Sequence, residues 1–173
     1  ALGARIHPHY GVFSPIRGEY LELVASAPMP AALKQHSIAF DIGTGTGVLA
    51  AILAKRGIQH IIATDMHSAA LTCAQENIAH LGFNKQVEIV QADLYPAGKA
   101  ALIVCNPPWV PAKPSSALDA AIFDPDSRML RGFLNGLAEH LEDSGEGWLI
   151  LSDLAEHLGL RTHETLLQMI AAA

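Results

Sequence analysis

The chain contains few cysteines and no long uninterrupted apolar run. Its two cysteines, Cys73 and Cys105, lie in apolar surroundings on a predicted helix and a predicted strand, where a small buried hydrophobic residue is the ordinary interpretation. This usage predicts a reducing, cytoplasmic setting. No segment approaches the roughly 18 apolar residues of a membrane span, and the first residues lack the positive start and apolar core of a signal peptide. We therefore expect a soluble protein with no membrane partner.

Basic residues and metal-binding patterns are also scarce. The 11 Lys and Arg residues stand against 17 Asp and Glu, the formal net charge is −6, and no basic run marks a surface that follows a phosphate backbone. Autonomous binding of nucleic acid is therefore disfavoured. Of the nine histidines, only His7 and His9 form a close pair, and no cysteine or acid completes it at ligand spacing. We expect no metal site.

What the chain does contain is an alternation of strand-length apolar runs with longer stretches of helical period, which is typical of a parallel sheet covered by helices. Ser68 is expected to cap its helix, and Gly57 and Gly82 to end theirs. The predicted strands are residues 37–42, 60–64, 87–90, 101–105 and 147–151, and the predicted helices are residues 17–27, 47–55, 68–81, 126–141 and one from about 162 onwards.

This alternation predicts an α/β fold, a doubly wound and mostly parallel sheet with helices on both faces. A chain of 173 residues, 50% of them hydrophobic, is long enough for one substantial core and too short for two ordinary domains. We therefore expect a single domain over residues 1–173, in which an N-terminal segment and helix (1–35) precede an α/β core (36–173). Five predicted strands leave an unpaired edge, so we expect a fragment whose continuation adds two strands after Ala173.

A glycine turn, Asp41-Ile42-Gly43-Thr44-Gly45-Thr46-Gly47, closes the first predicted strand and opens the next helix. Its glycines permit positive φ and let a ligand approach backbone that a Cβ would block. A nicotinamide site is the rival interpretation, but its fingerprint would place Gly or Ala where this chain has Val48, and no Tyr-x-x-x-Lys proton donor follows the fourth strand. The charge of Asp41 suits a ligand that carries an amine.

Two more acids follow successive predicted strands. Asp65 ends the second strand, where its carboxylate can accept both hydroxyls of a ribose. Asp93 follows the third, where it can receive an adenine amino group while Leu94 packs on the ring. Either acid alone could instead cap a helix or a turn. Together with Asp41, however, they converge on the crevice at the carboxyl ends of the strands, where open α/β sheets bind ligands.

The segment Asn106-Pro107-Pro108-Trp109 follows the fourth predicted strand. The Asn106 side-chain oxygen and the Pro107 carbonyl can both accept from a planar NH2 group, the prolines keep that carbonyl fixed, and Trp109 offers a stacking face. Two acceptors on the hydrogens of an amide or aryl amine favour pyramidalisation of its nitrogen, so that methylation needs no strong base. Taken alone, the tetrapeptide could be a proline turn with a buried tryptophan. Next to the glycine turn, it favours an enzyme that methylates nitrogen.

A proline-rich loop comes next, because prolines cannot sustain strands or helix interiors. The polar residues that follow this loop are interpreted as helix caps and ion pairs, although the segment could also form a rim that meets the substrate. The loop prolines are Pro111, Pro114 and Pro125, and the polar residues are Asp124, Asp126, Arg128 and Arg131.

On these motifs the sequence resembles the class I S-adenosylmethionine-dependent methyltransferases, specifically the Asn-Pro-Pro-aromatic group that acts on planar nitrogen. Within that group it is most similar to the glutamine N5-methyltransferases of translation release factors and ribosomal proteins, together with the small-domain methyltransferases of RNA exocyclic amines. The resemblance covers most of the chain. It implies a Rossmann-like fold, S-adenosyl-L-methionine as the cofactor, and a catalytic core attached to a separate recognition segment, here expected before Ala1.

The resemblance also implies roles for individual residues. Phe13 and Pro15 fall in a segment that covers the cofactor and lines the amine pocket in the family, although ordinary loop packing is an equal alternative for both. The turn residues Asp41, Gly43, Thr44, Gly45 and Gly47 would hold the cofactor, Asp65 and Met66 its ribose side, and Asp93 and Leu94 its adenine. The catalytic group would be Asn106, Pro107, Pro108 and Trp109, with Asn106 also beside the cofactor.

The identity of the methyl acceptor is left open by the residues. Glutamine enzymes usually carry Tyr where this chain has Trp109. Because the acidic balance gives no electrostatic help toward RNA, the expected acceptor is a glutamine side chain of a translation factor or ribosomal protein, and an adenine or guanine of RNA is the alternative. A NAD-dependent oxidoreductase and a cofactor-binding scaffold without activity are the alternatives from other classes. The complete Asn-Pro-Pro-Trp segment argues against the scaffold.

Overall fold

The structure, a computed structural model, describes residues 2–12, 18–113 and 122–173. At its centre is a five-stranded sheet in the order β3-β2-β1-β4-β5, in which every neighbouring pair of strands is parallel. This arrangement confirms the predicted doubly wound α/β fold. The strands are β1 (Ile38–Ile42), β2 (His60–Asp65), β3 (Val87–Gln91), β4 (Ala100–Cys105) and β5 (Leu141–Leu149).

Helices cover both faces of this sheet. One buried cluster joins the central strands to α2 and α3, with α1 packed outside them, and the other joins the strands to α4. The helices are α1 (Glu19–Ser26), α2 (Val48–Lys55), α3 (Ser68–His80), α4 (Arg128–His140), α5 (Leu154–His157) and α6 (His163–Ala171), with short 3-10 turns at Ala31–Lys34 and Pro125–Ser127.

The two faces of β1 show how the strand pattern divides the core. Successive side chains of a strand point to opposite faces, and Phe40 and Ile42 accordingly pack in the α4 cluster while Ala39 packs in the α2 cluster. Asp41 lies between Phe40 and Ile42 in the sequence. It is fully buried on the α2 side, where it accepts a hydrogen bond from α2. Each fully buried Ile or Leu contributes roughly 1.5–3 kcal/mol, so the central strands provide a rigid base for the loops at their carboxyl ends.

The predicted helix ends agree with the structure at two glycines and disagree at Ser68. Gly57 and Gly82 follow α2 and α3 with φ of +95° and +78°, a region open to glycine without strain, which confirms their role. Ser68 was expected to be the cap of α3, but it is the first helical residue and His67 precedes it as the cap. No side chain caps the start of α3, and Asp65 Oδ1 accepts from the backbone N of His67, the residue before the helix, at 3.0 Å.

The fifth strand differs most from the prediction, because it begins at Leu141 and not at residue 147. Its first half is polar and exposed, and its pairing with β4 shifts register between Ala100 and Leu102. The first half of an edge strand with a bulge can be polar and need not alternate with apolar residues. The sequence pattern therefore does not reveal that β5 begins at Leu141. The α4 helix also begins later than predicted, at Arg128, after a 3-10 turn, and α5 and the Ala31–Lys34 turn were not predicted.

Three further observations concern the composition and the helices of the described residues. Both cysteines are buried free thiols, which confirms their interpretation as small core residues. No helix in the described part of the chain is long and apolar enough to span a bilayer. Over the same residues, no group of three or more His, Cys, Asp or Glu side chains is placed to hold a metal ion.

Candidate functional site

The sheet brings most of the predicted site residues to one edge. Ile42, the last residue of β1, lies in register with Thr64 of β2 and with Cys105 of β4. The glycine turn, Asp65 and Asn106 therefore leave three adjacent strands at the same level. Asp93 follows β3, the next strand outward. The parallel topology thus assembles three acids, a glycine turn and the Asn-Pro-Pro-Trp segment from distant parts of the sequence.

Asp41 holds the glycine turn from within. Its Oδ2 accepts a hydrogen bond from Thr44 Oγ1 at 2.7 Å and another from Ala50 N at 3.0 Å, so it ties the turn to the first turn of α2. Burial raises the pKa of Asp41 to about 6, while these two hydrogen bonds oppose the rise and the charge of Asp65 adds to it. Because burial disfavours the ionised form of this carboxyl group, a positively charged ligand group beside it would stabilise that form.

Three buried side-chain atoms have no hydrogen-bond partner among the described residues, and all three belong to this region. They are Asp41 Oδ1, Thr46 Oγ1 and Tyr20 Oη. Buried polar groups are nearly always paired, and leaving one unpaired costs about 1–3 kcal/mol. Their grouping at the carboxyl edge of the sheet indicates a site built to bind a polar ligand. Tyr20 was not among the predicted site residues, because nothing in its local pattern separates it from an ordinary core position. Thr46 lies within the predicted glycine turn, but no role was assigned to it.

The glycines of the turn have different reasons for lacking a side chain. Gly43, Gly45 and Gly47 all have positive φ. A Cβ on Gly47 would lie 3.2 Å from Cα of Ala74, so glycine there lets α3 pack closely on the turn. A Cβ on Gly43 would collide with the Met129 side chain at the start of α4. Met129 therefore packs directly on the turn, a contact that the sequence does not predict.

Asp65 faces the turn from the neighbouring strand. Its Oδ2 accepts a hydrogen bond from Gly45 N at 3.1 Å, and its Oδ1 accepts from His67 N. Each carboxylate oxygen has a further lone pair, so Asp65 can hold the turn and still accept from a ligand hydroxyl. Met66, the next residue, is half exposed beside it. Both residues lie at the carboxyl end of β2, and their contact with the ribose of a cofactor stays a prediction.

Asp93 is engaged by a residue from across the site. Arg128, the first residue of α4, binds its carboxylate with both terminal nitrogens, at 2.5 Å to Oδ2 and 3.2 Å to Oδ1. The pKa of Arg128 is raised by this contact. Leu94 adopts a left-handed φ of +75°, which is rare for a residue with a side chain, and its carbonyl accepts from Thr64 Oγ1 at 2.6 Å. Strained backbone of this kind concentrates at functional sites.

The Asn-Pro-Pro-Trp segment forms a small network of its own. Trp109 Nε1 donates to Asn106 Oδ1 at 3.0 Å, and the Trp109 ring meets the ring of Tyr20 edge-on, with centroids 6.1 Å apart and planes at 80°. Between Asn106 and Trp109 in the sequence, Pro107 is buried and Pro108 is half-buried. Tyr20 comes from α1, far away in the chain. The motif is therefore completed by a residue that precedes the first strand.

The start of α4 confirms the interpretation as a cap and an ion pair for two of the polar residues after the proline loop, Asp124 and Arg128. Both carboxylate oxygens of Asp124 accept backbone N–H groups of α4, from Met129 at 2.9 Å and from Leu130 at 3.1 Å, so Asp124 caps the helix. Arg128 forms the ion pair with Asp93, and Arg131 donates to a backbone carbonyl. These contacts hold α4 against the site. Phe13 and Pro15, the remaining candidates, lie outside the described residues.

Known proteins share both the sequence pattern and this architecture. A family model described as methyltransferase small domain matches residues 3–168. A release factor glutamine methyltransferase of Cereibacter sphaeroides is 43% identical over 81 residues, which cover 45% of this chain and 29% of the relative. A tRNA1(Val) (adenine(37)-N6)-methyltransferase of Bacteroides thetaiotaomicron is 31% identical over 127 residues, covering 68% of this chain and 53% of the relative.

A solved structure shares the fold. It is a ribosomal protein L11 methylase from Lactobacillus delbrueckii subsp. bulgaricus, with a TM-score of 0.62 and 22% identity, covering 95% of this chain and 74% of that one. This chain spans only 29% and 53% of the lengths of the two curated relatives. Because the family model matches nearly the whole sequence and the sheet has the corresponding topology, the chain belongs to the methyltransferase small domain family of class I S-adenosyl-L-methionine-dependent methyltransferases.

Proposed function

We propose that this protein transfers a methyl group from S-adenosyl-L-methionine to a planar amide or amine nitrogen, with the side-chain amide of a protein glutamine as its acceptor. One observation carries the proposal. Ile42 and Cys105 are in register on adjacent strands, so the glycine turn and the Asn-Pro-Pro-Trp segment leave the sheet side by side. A cofactor on the turn and an amine on Asn106 would therefore be neighbours, which is the arrangement that direct transfer between them requires.

The residues at the edge fit such a cofactor. Asp41 Oδ1, buried and unpaired, supports an interaction with the ammonium group of the methionine part, since a positive charge would stabilise the ionised carboxylate. Asp65 is proposed to accept from the ribose hydroxyls, and Asp93 from the adenine amino group, with Met66 and Leu94 beside them. Gly43, Thr44, Gly45 and Gly47 form the backbone cradle. When bound, the cofactor supplies a methyl group on a positively charged sulfur.

The acceptor nitrogen is proposed to be held by Asn106 and Pro107. Asn106 Oδ1 and the Pro107 carbonyl accept hydrogen bonds from its two N–H groups. These hydrogen bonds draw the nitrogen lone pair out of conjugation, and they stabilise the positive charge that develops on nitrogen as the new N–C bond forms. Pro108 keeps the backbone fixed, and the Trp109 indole covers the pocket. No side chain need remove a proton beforehand, because the methylated nitrogen becomes acidic and releases its proton to water.

Glutamine is preferred as the acceptor for two reasons. The net charge of −6 gives no electrostatic help toward RNA, and a relative with 43% identity is a release factor glutamine methyltransferase. A partner in translation, a release factor or ribosomal protein, and a cytoplasmic location follow from this choice. Residues 1–173 are taken as one methyltransferase domain. An adenine amino group in RNA is the second candidate, supported by the relative that methylates tRNA adenine.

The proposal is tested by methyl transfer from labelled S-adenosyl-L-methionine to a total cell extract, divided before counting into portions treated with protease or with nuclease. Label that protease releases and nuclease leaves in place is the expected result. Label released by nuclease alone would favour the RNA candidate. An extract from cells lacking the protein is the better substrate, because its acceptor sites are unmodified.

A further inference from the structure

Tyr20 is a buried residue of α1 whose place in the site no sequence motif reveals. Its ring meets the Trp109 ring edge-on at 6.1 Å between centroids. Trp109 in turn donates to Asn106 Oδ1 at 3.0 Å. Tyr20, Trp109 and Asn106 thus form a chain of contacts that runs from α1 to the oxygen proposed to hold the acceptor. Burial raises the pKa of Tyr20 to about 12, and the neighbouring Asn106 side chain opposes that rise. The phenol is therefore neutral at physiological pH.

The helix that carries Tyr20 is fixed to the core. Arg56, just after α2, donates from its guanidinium to the carbonyls of Val24 at 2.6 Å and Ala27 at 2.5 Å, at the carboxyl end of α1. Val24 itself packs in the main buried cluster. These contacts hold α1 at its carboxyl end, and Tyr20, near its amino end, is itself buried. Precise placement of this kind is what a group that orients a catalytic side chain requires.

The Tyr20 hydroxyl nevertheless has no hydrogen-bond partner in the described part of the chain. A phenylalanine would pack equally well against Trp109 and would avoid the cost of an unpaired buried hydroxyl. The hydroxyl therefore needs an explanation other than packing. The Asn106 carboxamide carries an oxygen, which accepts hydrogen bonds, and an NH2 group, which donates them. A half-turn of this side chain would place its NH2 group against the amine that is to be methylated, and two donors cannot form a hydrogen bond with each other.

We propose that Tyr20 is a positioning residue of the acceptor pocket, whose hydroxyl receives the Asn106 NH2 group and so keeps Asn106 Oδ1 directed at the acceptor nitrogen. The inference rests on the proposed function. Trp109 acts on the oxygen end of the carboxamide and Tyr20 on its nitrogen end, so the two contacts together select one of its two orientations. The Asn106 side chain is the partner that this placement offers to the hydroxyl, since it already lowers the pKa of Tyr20.

Tyr20→Phe is the test variant, because it removes the hydroxyl and keeps the ring contact. Transfer of label to the protein fraction of a cell extract should fall about tenfold or more at saturating extract, the loss expected when a catalytic group is left misoriented. Calorimetry should find unchanged affinity for S-adenosyl-L-methionine. The melting temperature should change little, since the ring contact with Trp109 is kept. Tyr10→Phe is the matched control, because Tyr10 is 90% exposed.

A second measurement does not depend on activity. In protein labelled with 15N, the side-chain NH2 resonances of Asn106, assigned by their loss in Asn106→Ala, should shift in Tyr20→Phe and stay in place in Tyr10→Phe. Wild-type rates in Tyr20→Phe, with unmoved Asn106 resonances, would overturn the inference and leave the proposed function intact. Absence of transfer by the unsubstituted protein to any fraction would contradict the proposed function instead.

Discussion

The indole Nε1 of Trp109 donates a 3.0 Å hydrogen bond to Oδ1 of Asn106, the oxygen proposed to hold the acceptor amine. Since that oxygen has a second lone pair, the indole can orient the carboxamide without preventing it from accepting from a substrate. We expect Trp109→Phe, which keeps an aromatic face and loses the donor, to lower the rate of methyl transfer about tenfold, as the loss of one orienting hydrogen bond would.

The same variant should bind S-adenosyl-L-methionine normally, because Trp109 is assigned to the acceptor. Single-turnover rates and calorimetry on the two proteins separate these effects. A rate equal to that of the unsubstituted protein would show that the indole is there only to pack.

Asp65 should contribute to cofactor affinity. Its carboxylate is proposed to accept from the ribose while also accepting from Gly45 N. Hydrogen bonds to a charged group contribute about 1.5–3 kcal/mol, so Asp65→Ala should weaken S-adenosyl-L-methionine binding by roughly one to two orders of magnitude. Calorimetry measures this, with Asp153→Ala as the control, since Asp153 lies on the exposed surface before α5. Strong binding of NAD to either protein would refute the cofactor assignment.

Asp41 should make stability depend on pH. Burial raises its pKa from 3.8 to about 6, so the folded chain holds the proton more tightly than the unfolded chain does. That contribution to stability is fully present below pH 3.8 and is lost as pH rises through about 6. A shift of this size corresponds to about 3 kcal/mol.

Asp41→Asn cannot ionise and so lacks this pH dependence. The free energy of unfolding of the variant, relative to the unsubstituted protein, should therefore increase by up to about 3 kcal/mol between about pH 4 and pH 7. Urea titrations of both proteins at the two pH values give the difference. A difference that stays constant with pH would mean that Asp41 is ionised normally in the folded chain.

Arg128 should oppose cofactor binding slightly. It binds both oxygens of Asp93, the carboxylate proposed to receive the adenine amino group, and both side chains are more than half exposed. An exposed ion pair contributes about 1 kcal/mol or less, so Arg128→Ala should tighten cofactor binding no more than about fivefold. Added salt should reduce the difference between the two proteins, since it screens the pair. Weaker binding by Arg128→Ala would show instead that Arg128 holds Asp93 in place for the cofactor.

The parts of this site that follow from the sequence are those encoded by local pattern. Apolar runs followed by an acid or by the glycine turn predict that Asp41, Asp65 and Asp93 lie at one edge of a parallel sheet, because parallel strands present their carboxyl ends together. The structure places all three there.

The contacts made by distant segments could not be predicted. The sequence pattern predicts that Tyr20 is a core residue of a short amphipathic helix. It places Met129 and Arg128 at the start of another helix. Only the packing of α1 and α4 against the strand ends brings them to Trp109, Gly43 and Asp93. Such contacts depend on tertiary geometry, for which periodicity and spacing carry no information.

The most direct test is methyl transfer to the protein fraction of an extract by the unsubstituted protein and by Asn106→Ala, with the product digested to amino acids. We expect labelled N5-methylglutamine from the unsubstituted protein. We expect almost none from Asn106→Ala, whose affinity for S-adenosyl-L-methionine should be nearly unchanged because Asn106 acts on the acceptor. Label on another amino acid, or an Asn106→Ala protein as active as its parent, would contradict the proposed transfer to a glutamine held by Asn106.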